Sequence, residues 1–323
     1  MKLFKKNSKQ QINESILQHK YAVYFSSSRL FKGITLTILG WLLAGCSTLA
    51  SQHLVLKNSI FVTLFIIFTS AFVPMFICAL IKGKAYFICG RPKYVVIRSV
   101  IAVVNFYSYY MCRFWISKTT KVFLFSLDTL FVPILIFVMF RKKLSLLTWG
   151  GIIAGLVGLS IIYPVDLNIN SLQDILEISV SLGSAFFMAW LIIISCYIIR
   201  HDPPVRQTLY TTFAGMFFSS IGILCTGWET PCSSDLIQMI IQGFLYSTVV
   251  LIYLNGCDCI EPHVFVILSH SLSLFIIYVN SLIYTVPIFG YIHAGALMTL
   301  AGVIVVIAAT RFHMKEEDML LAQ

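Results

Sequence analysis

The feature that most constrains this chain is the recurrence of apolar blocks long enough to cross a bilayer. A hydrocarbon core about 30 Å thick needs roughly 20 helical residues, and the run from Ile60 to Ile81 meets that length without one charge. Such blocks recur at about Gly33 to Leu54, Ile60 to Ile81, Tyr94 to Met111, Thr120 to Phe140, Leu146 to Tyr163, Leu176 to Ile199, Gln207 to Trp228, Leu236 to Leu254, His263 to Val286 and Tyr291 to Thr310. Strand-type alternation is missing, and a lipid-facing backbone is satisfied only in helices or closed barrels, so the pattern predicts an all-α polytopic membrane protein of ten transmembrane helices. Composition agrees. A chain of 323 residues that is 59% hydrophobic and 11% charged, with mean hydropathy +0.89, is not an ordinary soluble globule.

The net charge of +10 does not mark a nucleic-acid partner, because the basic residues are scattered at the ends of apolar blocks and no soluble domain carries a patch. They read as topology signals. Residues Met1 to Lys32 are polar and basic and lack the early apolar core of a cleaved signal peptide, which predicts a cytoplasmic tail. With that tail inside, Lys82, Lys84, Arg91 and Lys93, then Arg141, Lys142 and Lys143, then Arg200 and Arg206, and finally Arg311 and Lys315 fall on the cytoplasmic side, so both termini are expected there. Arg113, Lys118 and Lys121 break the rule by falling outside, at the turn between the third and fourth spans.

That fourth span also holds a carboxylate among Phe, Leu and Val. A charge near the bilayer centre costs about 2.5 to 3.5 kcal/mol on insertion scales, and such residues normally face a cavity or a partner. Helical spacing puts Lys118, Lys121, Phe125, Asp128 and Val132 on one face, so Asp128 is expected either to line a substrate path or to pair with Lys121, Arg98 or Arg113. Pro133 frees the carbonyl of Thr129 and predicts a local break beside the acid. In the third span Arg98, Asn105, Tyr109 and Cys112 share a face, with Tyr107, Tyr110, Phe114 and Trp115 crowding its outer end. Rings with polar tips beside cations suit a flat heteroaromatic or zwitterionic ligand. The eighth span repeats the theme with Gln242, Tyr246 and Tyr253, and the ninth aligns His263, His270, Ser273 and Asn280.

Shifting the chain by 144 positions superposes its halves: Arg98 meets Gln242, Tyr109 meets Tyr253, Arg113 meets Cys257, Gly151 meets Gly295 and Gly158 meets Gly302. Five spans per half is an odd number, so the second copy enters the membrane from the opposite side, as an inverted repeat does. Each half ends on Gly, six residues, Gly and an apolar residue, Gly151 to Leu159 and Gly295 to Val303. This resembles the EamA domain of the drug/metabolite transporter superfamily in two tandem copies, residues 33–164 and 172–311, flanked by tails 1–32 and 312–323. Arg91-Pro92 followed by Arg98 and an aromatic third span resembles the S-adenosylmethionine uptake branch of intracellular bacteria. The resemblance implies a carrier in a bacterial inner membrane, with a central cavity lined by spans one, three, four, six, eight and nine. The chain departs from the family in having Lys142 and Lys143 where a Glu commonly follows the fourth span, and Tyr291-Ile-His293 after the ninth.

Other signals exclude rather than assign. Leu43-Ala44-Gly45-Cys46 matches the box before a lipid-modified cysteine, but its leader would be over-long and nine further spans would remain. Cys257-Asp-Cys-Ile-Glu-Pro-His263 lacks the second ligand pair of a structural zinc site. No nucleotide-binding, dinucleotide or hydrolase fingerprint occurs, so neither an enzyme, an ATP motor nor a cofactor is expected. The reading is a gradient-driven or exchanging carrier of a small organic metabolite, with S-adenosylmethionine the best fit. An amino acid or drug exporter is the alternative, and a membrane enzyme or scaffold is the competing class. Asp128 would neutralise a cationic group and Arg98, Lys118 or Lys121 a carboxylate, with Asn105, Tyr109, Phe125, Gln242, Tyr246, Tyr253 and His270 lining the site. The oligomeric state is left open.

Overall fold

The computed structural model describes residues 27–50, 54–89, 91–115, 118–163, 172–198, 202–270, 274–275, 277–279, 281 and 289–321. The amino-terminal tail up to residue 26 and the positions of Ser273 and Asn280 lie outside them. So do the side chains of Cys112, Arg113, Phe114, Trp115, Lys118 and Lys121.

Among the described residues the secondary structure is helical throughout: α1 (Ser27–Ala50), α2 (Ile60–Lys82), α3 (Pro92–Trp115), α4 (Lys118–Phe125), α5 (Asp128–Phe140), α6 (Leu146–Ile162), α7 (Leu172–Ile198), α8 (Pro204–Thr226), α9 (Ser233–Cys257), α10 (Pro262–Leu268) and α11 (Gly290–Leu321). Local chemistry sets their ends. Pro204 and Pro262 open α8 and α10, where a missing N–H costs nothing. Ser145 caps α6, its Oγ accepting from the Thr148 N–H at 3.1 Å. Gly83 and Gly227, at φ 93° and 90°, let the chain leave α2 and α8 in a backbone conformation that side chains resist.

Eight segments are long and apolar enough to cross a membrane: α1, α2, α3, the joined α4 and α5, α7, α8, α9 and α11. Apolar side chains such as Ile81, Leu146, Leu224 and Leu297 are left exposed on the outer faces, which suits a multi-pass membrane protein. Eight is two fewer than the apolar blocks predict. The fifth block forms α6, which is apolar but only 17 residues long, and the ninth is described as the short α10 followed by isolated helical residues.

The fourth block also differs from a continuous rod. Regular helix is interrupted at Ser126 and Leu127: the Ser126 N–H is shared between the Val122 and Phe123 carbonyls, and Leu127 and Thr129 donate three residues back, to Leu124 and Ser126. Ser126 Oγ donates to the Val122 carbonyl at 2.8 Å, a local bond that competes with the regular ladder. The break therefore precedes Asp128, whereas Pro133 lies inside α5. Lys121 and Asp128 sit on different helices.

The main packings are α2 with α8, α6 with α11, α1 with α9, α2 with α9, α3 with α7, α3 with α8 and α5 with α7; smaller ones join α4 with α7, α5 with α10, α8 with α9, α10 with α11 and α1 with α10. The largest core cluster lies where α5, α6, α7, α10 and α11 meet, around Val132, Ile152, Ile192, Phe265 and Val306. Within lipid, apolar side chains gain little from leaving it, so close backbone approach has to supply the attraction. Helix α6 provides it with α11. A Cβ on Gly158 would stand 2.6 Å from the Gly295 carbonyl oxygen, and one on Gly302 would stand 2.5 Å from that of Gly151.

Candidate functional site

Among the described residues Arg98 is the largest fully buried side chain, 1% exposed on α3. Its Nε donates to Ser195 Oγ at 2.8 Å, Nη1 to Thr211 Oγ1 at 2.6 Å and to the Gln207 carbonyl at 3.4 Å, and Nη2 to the Tyr253 hydroxyl at 3.4 Å. These partners come from α7, α8 and α9. All are neutral. Arg98 therefore does not pair with Asp128, one of the pairings that spacing allowed. One turn-pair further along α3, Asn105 accepts from Ser184 Oγ at 2.6 Å and donates to Met188 Sδ at 3.3 Å, so Arg98 and Asn105 together fasten α3 along α7.

Asp128 is the first residue of α5, directly after the interruption, and is 5% exposed. Among the described residues no ion pair involves it. Thr129 Oγ1 donates to its Oδ1 at 3.3 Å and lies 3.1 Å from His270 Nε2, joining the start of α5 to the residue two beyond the end of α10. The carboxyl thus meets His270 through a hydroxyl, and both ends sit where regular helix stops. Backbone N–H groups at a helix start favour a negative charge.

The predicted rings form a third group. Tyr109 packs edge-on to Phe125 at 5.3 Å, and Tyr246 packs edge-on to Phe106 at 4.8 Å and to Phe68 at 5.9 Å. Tyr253 connects the groups: its hydroxyl meets Arg98 while its ring lies 5.5 Å from Phe265, which in turn lies 6.1 Å from Trp41. Gln242 stands apart, bonded through Nε2 to Ser47 Oγ and tying α9 to α1. Lys118 and Lys121 lie on α4.

Thr129, Ser195 and Thr211 are the hydrogen-bond partners of Asp128 and Arg98 that motif reading did not single out. Ser195 was signalled by a hydroxyl closing the run Leu191 to Ile194, and Thr129 by its place beside the acid.

A further polar chain lies at the end of α5. Arg141 adopts a left-handed φ of 54°, turning the backbone so that Lys142 Nζ meets Glu261 Oε1 at 2.8 Å. Glu261 Oε2 lies 3.2 Å from His263 Nδ1, and His263 Nε2 is 3.3 Å from Thr310 Oγ1 on α11. Three segments, the end of α5, the start of α10 and α11, are joined there. No group of three or more His, Cys, Asp or Glu side chains gathers as a metal site among the described residues. A groove of about 430 Å³ opens away from these groups, along Leu274, Tyr278, His293 and Leu297.

No family model matches this chain, and no curated protein matches it. A solved structure described only as the crystal structure of a protein superposes with a TM-score of 0.72, covering 89% of this chain and 99% of its own at 13% identity. That likeness is one of fold.

Proposed function

We propose that this chain is a secondary transporter of the EamA type within the drug/metabolite transporter superfamily, with ten crossings in two inverted halves and both termini in the cytoplasm. The observation that carries the reading is the behaviour of the packing under exchange of halves. Replacing α1, α2, α3, α5 and α6 by α7, α8, α9, α10 and α11, and the reverse, turns α3–α7 into α9–α1, α3–α8 into α9–α2 and α5–α7 into α10–α1. It leaves α2–α8, α5–α10 and α6–α11 as they stand. The larger packings between the halves are thus exchanged or preserved, as alternating access needs, while α8–α9 and α10–α11 have no counterpart of like extent in the first half.

The substrate in this reading is a small organic metabolite with a cationic group, S-adenosylmethionine being the best fit. Asp128 neutralises the cation, the ring cluster of Tyr109, Phe125 and Tyr246 stacks a flat moiety, and Lys118 or Lys121 meets a carboxylate, Arg98 being held by its four neutral partners. The test is uptake of labelled S-adenosylmethionine, amino acids and nucleosides into vesicles holding the purified protein. Accumulation of at least one above empty vesicles is expected, with S-adenosylmethionine foremost. Equal counts in loaded and empty vesicles across the whole panel would overturn the reading.

A further inference from the structure

Thr129 carries a single hydroxyl hydrogen and faces two acceptors, Asp128 Oδ1 at 3.3 Å and His270 Nε2 at 3.1 Å. It can serve one of them at a time. If it donates to the carboxylate, the His270 Nε2 must carry a hydrogen and donate to Thr129. If it turns to His270 Nε2, the carboxyl must carry the hydrogen and donate to Thr129. The chain is complete in both arrangements, and they differ in where one proton sits. With that proton bound, the three side chains carry no net charge in the form with carboxylic acid and neutral imidazole. Without it, a carboxylate is left at a place where Asp128 is 5%, Thr129 0% and His270 1% exposed. An uncompensated buried charge is the costly state.

The position matters as much as the bonding. Asp128 and Thr129 belong to α5, whereas His270 follows α10, and these two elements pack together. Any movement that parts them breaks the Thr129–His270 link and lets water reach the acid. The His270 ring lies over Gly155 of α6, where a Cβ would stand 3.5 Å from its Cδ2, an ordinary contact. Among the described side chains, the other ionisable groups on the surrounding elements are engaged elsewhere or distant along their helices. Asp174 and Glu177 lie in the first turns of α7, with Glu177 held by Gln173 at 3.0 Å, and His263 is committed to Glu261 and Thr310. Arg98 is bound to four neutral groups. The side chains of Lys118 and Lys121, on α4, lie outside the described residues. One carboxylate, one hydroxyl and one imidazole are too few oxygens for a hard metal cation.

We infer that Asp128, Thr129 and His270 form a proton-binding site, and that loading it holds α5 against α10 while release frees them, making the proton the coupling ion. The coupling rests on the transporter reading; the proton site does not. The probe is the proton itself, titrated on the purified wild-type protein and followed by infrared spectroscopy of the carboxylic acid C=O band. A band that disappears as pH rises is expected. It is absent throughout in Asp128→Asn, and Thr129→Val, which keeps the shape without the hydroxyl, displaces its midpoint by about one pH unit. Asp128→Glu retains a band at an altered frequency and preserves the assignment should the Asn variant fail to fold. Hydrogen exchange of segment 122–140, corrected for intrinsic rates, follows the same midpoint in the wild type and loses its pH dependence in Asp128→Asn. A wild-type protein with no such band, a band that persists in Asp128→Asn, or a midpoint untouched by Thr129→Val would overturn the site. A titrating band with unresponsive exchange overturns the coupling. If both respond while no metabolite accumulates in vesicles, it is the transporter reading that falls.

Discussion

Arg98 and Asp128 are both charged side chains sealed inside apolar helices, and they are sealed in opposite ways. Arg98 sits within an uninterrupted helix and is met by Ser195, Thr211, the Gln207 carbonyl and Tyr253 from three other helices. Asp128 sits at the start of a helix, and beyond its own backbone its described bond is one long contact from its neighbour Thr129. Burial alone therefore does not separate a structural charge from a working one. What separates them is the number of partners that would have to be abandoned for the group to change state: four on three helices for the guanidinium, one for the carboxyl. The first is a pin across the fold, and the second is poised to gain or lose a proton.

Four measurements of thermal or denaturant stability in detergent would sharpen or break that contrast. A region without charge sets the scale. Gly158→Leu forces a side chain into the Gly295 backbone and should cost the most, at or above the upper end of the roughly 1–3 kcal/mol typical of overpacking. Unchanged folded yield would mean that α6 and α11 are not held by close backbone approach. Arg98→Met should come next. It orphans several buried hydroxyl and carbonyl groups but also removes a buried charge, and the balance is a loss of about 2 kcal/mol. A gain in stability would show that the arginine is the strained, working member of the pair. Tyr253→Phe removes one 3.4 Å partner and keeps the ring on Phe265, so a loss near 1 kcal/mol is expected. A loss matching that of Arg98→Met would make the tyrosine the true anchor. Asp128→Asn should move stability least, by no more than about 0.5 kcal/mol in either direction, since the amide keeps the shape and sheds the charge. A loss as large as that of the arginine variant would erase the distinction.

Much of the architecture was legible because bilayer thickness imposes a length on apolar runs, and nearly every predicted block reappears as helix. The spacing of Gly151, Gly158, Gly295 and Gly302 is consistent with the close interface they form, since seven residues return to the same helix face. The interruption of the fourth block was expected beside the acid on the strength of Pro133; it does lie beside Asp128, but at Ser126 and Leu127, with Pro133 inside α5. For the site, Asp128 stood out as a carboxylate in an apolar run, yet its environment did not. Thr129 and His270 are 141 residues apart, and Arg98 lies 97 and 113 residues from Ser195 and Thr211. Helical periodicity reports which residues share a face, and carries no information about which face of another helix will meet it.

The glycine seam between α6 and α11 has a consequence for how the protein is made. Its two sides come from opposite halves of the gene: Gly155 receives its bond from Thr299, 144 residues later. At synthesis rates of about 5–20 residues per second, α6 is complete roughly ten to thirty seconds before its partner exists. During that interval the stripe of Gly151, Gly155 and Gly158 is a notched surface in lipid, open to any helix with small residues in register. Orphaned first halves and mispaired neighbours are the hazards of that wait, and a nascent chain truncated before α11 should be a client of membrane chaperones and proteases.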